Sequence, residues 1–281
     1  VERRSRQSQA DRTAQAEDPP DRYNARLAAD REMTSPSTVV LVPARLASTR
    51  LPDKPLAPIA GEPMIVHVWR RAVEAEVGPV WVACAEPVIA EAIERAGGKA
   101  VLTDPAHPSG TDRINEALQK VDPGRSFERV VNLQGDMPTL DPAVLRHVLE
   151  PLDRLGTDWG TLANPPEDEE ERPAPNAVKA VVSFLPDDPT LGRALYFTRA
   201  TAPSGPGPVW HHIGIYSFTR STLERFCTLP PSPLERRERL EQLRALEAGM
   251  TIGVRLVDAV PFGVDTPADL AKARRILENS P

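Results

Sequence analysis

Three cations, Arg45, Arg50 and Lys54, follow closely on the apolar run Val39-Val40-Leu41-Val42. Folding gives no reason to crowd like charges together, whereas a polyanionic ligand does. The apolar run reads as a short buried strand bounded by Pro43, so the cations leave the carboxyl end of an α/β strand, where such sheets bind substrates. Triphosphate is the matching ligand, with Arg45, Arg50 and Lys54 as charge clamps and Ser48 and Thr49 as neighbouring hydroxyls. A solvated basic turn would explain a lone arginine but not this set. Neither a G-x-x-x-x-G-K-[ST] phosphate loop nor a G-x-G-x-x-G dinucleotide fingerprint occurs.

Asp136 lies in Asn132-Leu133-Gln134-Gly135-Asp136, just after a second apolar run. It is expected at the same sheet edge as the cations, where a carboxylate beside phosphates suits Mg²⁺. Asp265, between a strand and a helix in Gly263-Val264-Asp265-Thr266-Pro267, is the second carboxylate. A turn aspartate or helix N-terminal charge would explain either residue alone. Together with the cationic loop they read as a metal pair. The stretch His107 to Arg113 offers Ser109, Gly110 and Thr111 as a turn that could meet a base, or simply as a helix start at Thr111. His212, Gly214 and Tyr216 alternate along a strand and share one face, as hydrogen-bonding groups for a polyhydroxylated ligand. Adjacent His211 points the other way, and no Cys or third His completes a zinc set. Glu241 and Gln242 lie on a charge-rich helix, whose solvated face is their default place.

These residues need a scaffold of alternating strands and helices. Val80–Ala83, Lys99–Leu102 and Val130–Leu133 read as further strands. Helical spacing follows Pro63 through Ile65, Val68, Trp69, Ala72 and Val73, and recurs from Val88 to Ala96, closed by Gly97-Gly98. This predicts an α/β fold: a mostly parallel, Rossmann-like sheet with helices on both faces. The pattern loosens across residues 157–218, which read as an inserted mixed-sheet region built from strands at 157–163, 177–184, 194–198 and 212–218. A helix is predicted over 233–248, a strand over 251–257, and a last helix with Thr266 as N-cap and Pro267 at N1.

The 281 residues suffice for one large core, and 40% hydrophobic with 26% charged residues is ordinary for soluble chains. A net charge of -6 argues against sequence-independent nucleic-acid binding. No apolar run reaches membrane-spanning length, and two cysteines do not make a disulfide framework. Residues 1–37 stand apart from the domain at 38–281. Val1 to Glu32 carries seven Arg and seven Asp or Glu, with Val1, Tyr23 and Leu27 its only large apolar residues, so it is expected to be a disordered tail. Met33 is an alternative native start, with Val1 then read from an upstream GTG codon.

The motifs run in one order with those of a known family. Pro-Ala-Arg-x-Ala-Ser-Thr-Arg-Leu-Pro-x-Lys-Pro-Leu at Pro43 is followed by His-x-Ser-Gly-Thr-x-Arg at His107, Asn-x-Gln-Gly-Asp at Asn132 and Pro-Asn-Ala-Val-Lys at Pro175. Then come Tyr-Phe-x-Arg-Ala-Thr at Tyr196, His-x-Gly-Ile-Tyr at His212, Pro-Ser-Pro-Leu-Glu at Pro231, Leu-Glu-Gln-Leu-Arg at Leu240 and Gly-Val-Asp-Thr-Pro at Gly263. From about residue 38 onward the chain resembles the 3-deoxy-manno-octulosonate (Kdo) cytidylyltransferases. The resemblance implies transfer of CMP from CTP to Kdo with release of pyrophosphate, by a Mg²⁺-dependent, cytoplasmic homodimer serving lipopolysaccharide assembly. It implies catalytic roles for Arg45, Lys54, Asp136 and Asp265, with the two aspartates on the metal. Arg45, Ser48, Arg50, Lys54, His107, Ser109, Gly110 and Gln134 match CTP positions. Arg199, His212, Tyr216, Glu241 and Gln242 match the sugar-acid pocket.

The chain departs from the family pattern at Met137, Ala85 and His211, and is short between Ala202 and Val209. Rival readings are a cytidylyltransferase for sialic acid or 8-amino-Kdo, which would alter the Arg199, His212 and Glu241 pocket, and a non-catalytic sugar-nucleotide sensor. A sensor would be expected to lose a metal carboxylate, and both are present.

Overall fold

The computed structural model describes residues 37–47, 50–166, 173–174, 176–258 and 262–278. Of the tail expected over 1–37, residues 1–36 with Met33 lie outside the described residues, as do Ser48 and Thr49. The first strand, β1 (Thr38–Ala44), is buried along its whole length. Val40, Val42 and Ala44 face one core while Val39 and Leu41 face the other. Burial on both faces is why its sequence is a continuous apolar run rather than an alternation.

After a small hairpin of β2 (Pro58–Ile59) and β3 (Glu62–Pro63) come helix α1 (Met64–Glu74), strand β4 (Val80–Cys84), α2 (Pro87–Arg95), β5 (Lys99–Leu102), α3 (Gly110–Val121) and β6 (Arg129–Asn132). Strands β4, β1 and β6 lie side by side in parallel, with β5 parallel to β4 at the edge. Helices α1 and α2 cover one face through Ile65, Val68, Ile89 and Ile93. Helix α3 covers the other through Ile114, Ala117 and Leu118. Short helices α4 (Val144–His147) and α5 (Glu150–Leu155) join the first face.

The second half consists of β7 (Trp159–Asn164), β8 (Lys179–Phe184), β9 (Leu191–Thr198), β10 (Trp210–Thr219), α6 (Arg220–Thr228), α7 (Pro233–Glu238), α8 (Gln242–Glu247), β11 (Ile252–Leu256) and α9 (Pro267–Glu278). The complete sheet has nine strands in the order β5-β4-β1-β6-β10-β7-β11-β9-β8. Residues 157–218 supply four strands of this same sheet, with β10 wedged antiparallel between β6 and β7. Because β10 also pairs with β8, the strands β10, β7, β11, β9 and β8 close a ring.

Two expectations are corrected. The sheet is mixed rather than mostly parallel, since β10 reverses direction beside β6 and β8 with β9 forms an antiparallel pair. The helix predicted over 233–248 is two helices. Arg239 adopts the left-handed conformation (φ 58°, ψ 47°), donates its N–H back to the Glu235 carbonyl, and turns the chain between α7 and α8. That turn carries Glu241 and Gln242 inward, and Gln242 is buried.

Candidate active site

Strand β1 delivers its chain to the carboxyl edge of the sheet, level with Ala83 and Cys84 of β4. There Leu46 donates its N–H to Glu86 Oε2 at 3.0 Å, which fixes the start of the cationic loop. A single 3₁₀ turn at Lys54–Leu56 follows Asp53, itself left-handed at φ 53°, and brings Lys54 back to the same edge. Arg45, Arg50 and Lys54 line a cleft of about 400 Å³ together with Gln134, Gly135, Asp136 and Asp265. Position 135 must be glycine, because a Cβ there would lie 2.7 Å from the carbonyl oxygen of Pro43.

Asp136 leaves β6 and accepts, through its carbonyl, the N–H of Val264 at 2.8 Å. Asp265 is thereby set beside it. Lys54 Nζ donates to Asp136 Oδ2 at 2.7 Å and to Asp265 Oδ1 at 3.0 Å. Arg50 Nη2 lies 2.9 Å from Asp265 Oδ2. Burial alone would lower the Lys54 pKa, but the charge and hydrogen bonds of the two aspartates outweigh it and hold the ammonium above its usual range. Behind Asp265, Thr266 Oγ1 accepts from Asp269 N–H at 3.2 Å and Asp269 Oδ2 accepts from Thr266 N–H at 2.8 Å, a reciprocal cap on α9.

Two carboxylate oxygens converging within reach of one ammonium, at the wall of an open polar cleft, fit Mg²⁺ in chemistry and placement. Among the described residues no cluster of three or more His, Cys, Asp or Glu side chains forms. An ion here would need further oxygens from water or a ligand, as Mg²⁺ usually takes them.

A second cleft of about 120 Å³ shares Pro43, Ala44, Arg45 and Gln134 with the first and adds Ser109, Gly110 and Arg113. Helix α3 begins at Gly110, not Thr111: Ser109 is its N-cap, accepting from Asp112 N–H at 3.1 Å. His107 turns instead to Glu116, with 2.5 Å between Nε2 and Oε2. Burial would raise the Glu116 pKa, yet bonds from Lys120, the Asp104 N–H and His107 bring it down to about 2. Arg113, not among the candidates drawn from the sequence, also lines this cleft. It is 2% exposed, with Nη1 donating to Thr103 Oγ1 at 2.6 Å and to the Asp104 carbonyl at 3.3 Å. Burial and the charge of Arg45 both push its pKa down.

The expected sugar-acid residues cluster where β10 passes the α7–α8 turn. His212 and Tyr216 stack at 5.6 Å between ring centroids, and Phe197 of β9 meets His212 edge-on at 4.9 Å. A bulge at Gly214 and Ile215 preserves that shared face: His212 lies opposite Ala163 and Tyr216 opposite Thr161 on β7. Thr161 Oγ1 lies 3.0 Å from His212 Nε2, and Gln242 Nε2 lies 3.5 Å from Nδ1. Burial depresses the His212 pKa to about 3, so the ring is neutral, and burial followed by the Glu241 charge pushes Tyr216 well up.

Glu241 accepts from Thr111 Oγ1 at 2.6 Å, joining this pocket to the turn of the second cleft. Its other oxygen, Oε2, is buried without a protein partner, and burial raises its pKa against the opposing bond from Thr111. Arg199, just beyond β9, is anchored on Glu238 by Nε to the carbonyl and by its own N–H to Oε2, both at 3.1 Å. Beneath it, fully buried Lys179 donates to the carbonyls of Ala174, Ala177 and Arg199 at 2.5, 2.8 and 3.3 Å.

Residues 39–252 match the family model described as Cytidylyltransferase. The chain belongs to the 3-deoxy-manno-octulosonate cytidylyltransferase family. It is 61% identical over 240 residues to the 3-deoxy-manno-octulosonate cytidylyltransferase of Rhodospirillum centenum, covering 85% of this chain and 93% of that one. It is 62% identical over 239 residues to the protein of that name from Parvibaculum lavamentivorans, covering 85% and 92%. Among solved structures, a CMP:2-keto-3-deoxy-manno-octonic acid synthetase complexed with CTP superposes with a TM-score of 0.79 at 38% identity, covering 86% of this chain and 98% of the other. A cytidylyltransferase from Leptospira borgpetersenii, at 16% identity and a TM-score of 0.57, shares the fold. The chain is thus a cytidylyltransferase with a mixed α/β nucleotidyltransferase fold.

Proposed function

We propose that this cytidylyltransferase activates Kdo, converting CTP and 3-deoxy-D-manno-octulosonate to CMP-Kdo and pyrophosphate for lipopolysaccharide biosynthesis. The observation that carries this reading is the convergence of Arg45, Arg50 and Lys54 with Asp136 and Asp265 in one cleft, continuous with a second cleft under Gln134 and Ser109. Relatives near 60% identity bear the corresponding name, and the neighbouring structure was solved with CTP.

In this reading the triphosphate lies along Arg45, Arg50 and Lys54, and the cytosine enters the smaller cleft beside Ser109, Gly110 and Gln134. The sugar acid lies across His212, Tyr216, Glu241 and Gln242, with Arg199 on its carboxylate. The anomeric hydroxyl then attacks the α-phosphorus in line and gives up its proton to solvent, the bond to the bridging oxygen breaks, and pyrophosphate leaves. Charge grows on the bridging and equatorial oxygens, so positioned cations lower the barrier more than a strong base would. Asp136 and Asp265 would hold Mg²⁺, which when bound neutralises phosphate charge. The neutral ring of His212 and the buried Oε2 of Glu241 supply hydrogen-bonding groups for sugar hydroxyls.

A cytoplasmic homodimer is carried over from the family resemblance. Among the described residues no helix is long and apolar enough to cross a membrane. Pyrophosphate release measured across CTP, UTP and GTP and across Kdo, 8-amino-Kdo and sialic acid tests the assignment. Turnover with CTP and Kdo is expected to exceed every other pair, and preference for another sugar acid would overturn the choice of Kdo.

A further inference from the structure

Lys54 belongs to the cationic loop, yet it bonds to carboxylates. Its Nζ lies between Asp136 Oδ2 and Asp265 Oδ1, while Arg50 takes Asp265 Oδ2. Three carboxylate oxygens are thus matched to cations of the protein itself. The Lys54 side chain is 16% exposed, against 66% for Arg50. It has little water to fall back on if its partners are taken.

We propose that Lys54 is an internal counter-ion that holds the position between Asp136 and Asp265 until a triphosphate arrives, so that divalent metal enters only together with the nucleotide. The inference rests on the reading of this pair as the metal carboxylates. An ion entering alone must displace the ammonium and leave it half-buried and unpaired, which is costly. With a triphosphate in the cleft, Lys54 exchanges carboxylate for phosphate oxygens, and the vacated carboxylates bind the ion that the nucleotide brings. Metal and nucleotide then favour each other reciprocally.

Mn²⁺ titration of the nucleotide-free protein, with free ion read by electron paramagnetic resonance, separates the possibilities. Lys54→Met and Lys54→Gln should bind Mn²⁺ about tenfold or more tightly than the wild type, since no ammonium then competes with the ion for the two carboxylates. Lys54→Arg, which keeps a cation there, should stay near the wild type. Circular dichroism establishes that each variant is folded, and Lys54→Gln preserves polarity should Lys54→Met fail. Equal or weaker Mn²⁺ binding in both neutral variants overturns the counter-ion role. Tight binding in Lys54→Met that survives a further Asp136→Asn change would instead overturn the metal-site reading, because the ion would be bound elsewhere.

Discussion

Val264 donates its backbone N–H to the carbonyl oxygen of Asp136 at 2.8 Å, and this bond joins two loops far apart in the chain. Asp136 leaves strand β6 and Asp265 precedes helix α9. Their carboxylates therefore meet through main-chain geometry rather than through the motion of long side chains. Val264 is itself fully buried against Ile59, Met64, Leu270 and Ala273, so the hairpin and α9 clamp the loop that carries Asp265.

Asp136→Asn and Asp265→Asn are each expected to lower turnover by about a hundredfold or more, the scale of losing one preorganised electrostatic group. Circular dichroism should show the fold retained, because neither side chain is part of a buried core. Near-normal CMP-Kdo formation at ordinary Mg²⁺ in either variant would remove that carboxylate from the reaction.

Strand β1 and its loop were legible because burial on both faces leaves a continuous apolar run, and because crowded cations have no folding explanation. The cap at Thr266 was legible for a similarly local reason. The break at Arg239 was not: neither Gly nor Pro marks it, and a left-handed Arg is stabilised by its surroundings, not by its own preference. Nor could the chain show that β10 lies between β6 and β7, since strand order depends on contacts between distant residues. Arg113 could have been noticed as the last residue of the His107 motif, but its burial becomes apparent only once α3 packs on the sheet. Glu86 gave no signal at all, because its partner is the backbone N–H of Leu46.

One buried ion pair sets a stability expectation. Arg220 Nη1 lies 2.5 Å from Asp122 Oδ2, with the side chains only 8% and 5% exposed. Asp122 also accepts from the N–H groups of Ser126 and Phe127, so it tethers the loop before β6. Burial opposes the charge on Asp122, but those bonds and Arg220 hold its pKa well below the usual carboxylate range. Arg220→Met leaves this carboxylate buried without its cation and should cost about 3–5 kcal/mol in a urea melt. A loss within experimental error would show that the backbone donors alone carry the charge.

His212 predicts an acid sensitivity with a definite sign. Its pKa is held down to about 3 in the folded chain, against 6.5 for a free imidazole, because burial disfavours the imidazolium. Between those values the unfolded chain binds a proton that the folded chain refuses, so stability falls as pH drops from about 6.5 toward 3. Above 6.5 the contribution is complete and does not vary. Melting temperatures across that window should fall less steeply for His212→Gln than for the wild type. Parallel curves would mean that the ring is accessible to protons in the native state.

In the proposed reading, substrate choice depends on Arg199. Its backbone N–H and Nε are both anchored on Glu238, which fixes where the guanidinium stands at the end of β9. A planar guanidinium can offer two parallel charge-assisted bonds to a carboxylate, and a lysine ammonium cannot. Arg199→Lys should therefore raise the KM for Kdo by about tenfold or more, the effect of losing one charged hydrogen bond, while the KM for CTP changes little. Glu241→Ala should act in the same direction, because it removes both the bond from Thr111 and the unpartnered Oε2 available to a sugar hydroxyl. Titrating each substrate at saturating levels of the other separates the two sites. If Arg199→Lys takes Kdo normally and loses CTP, the guanidinium lies on the triphosphate, and the acid must be bound by another cation.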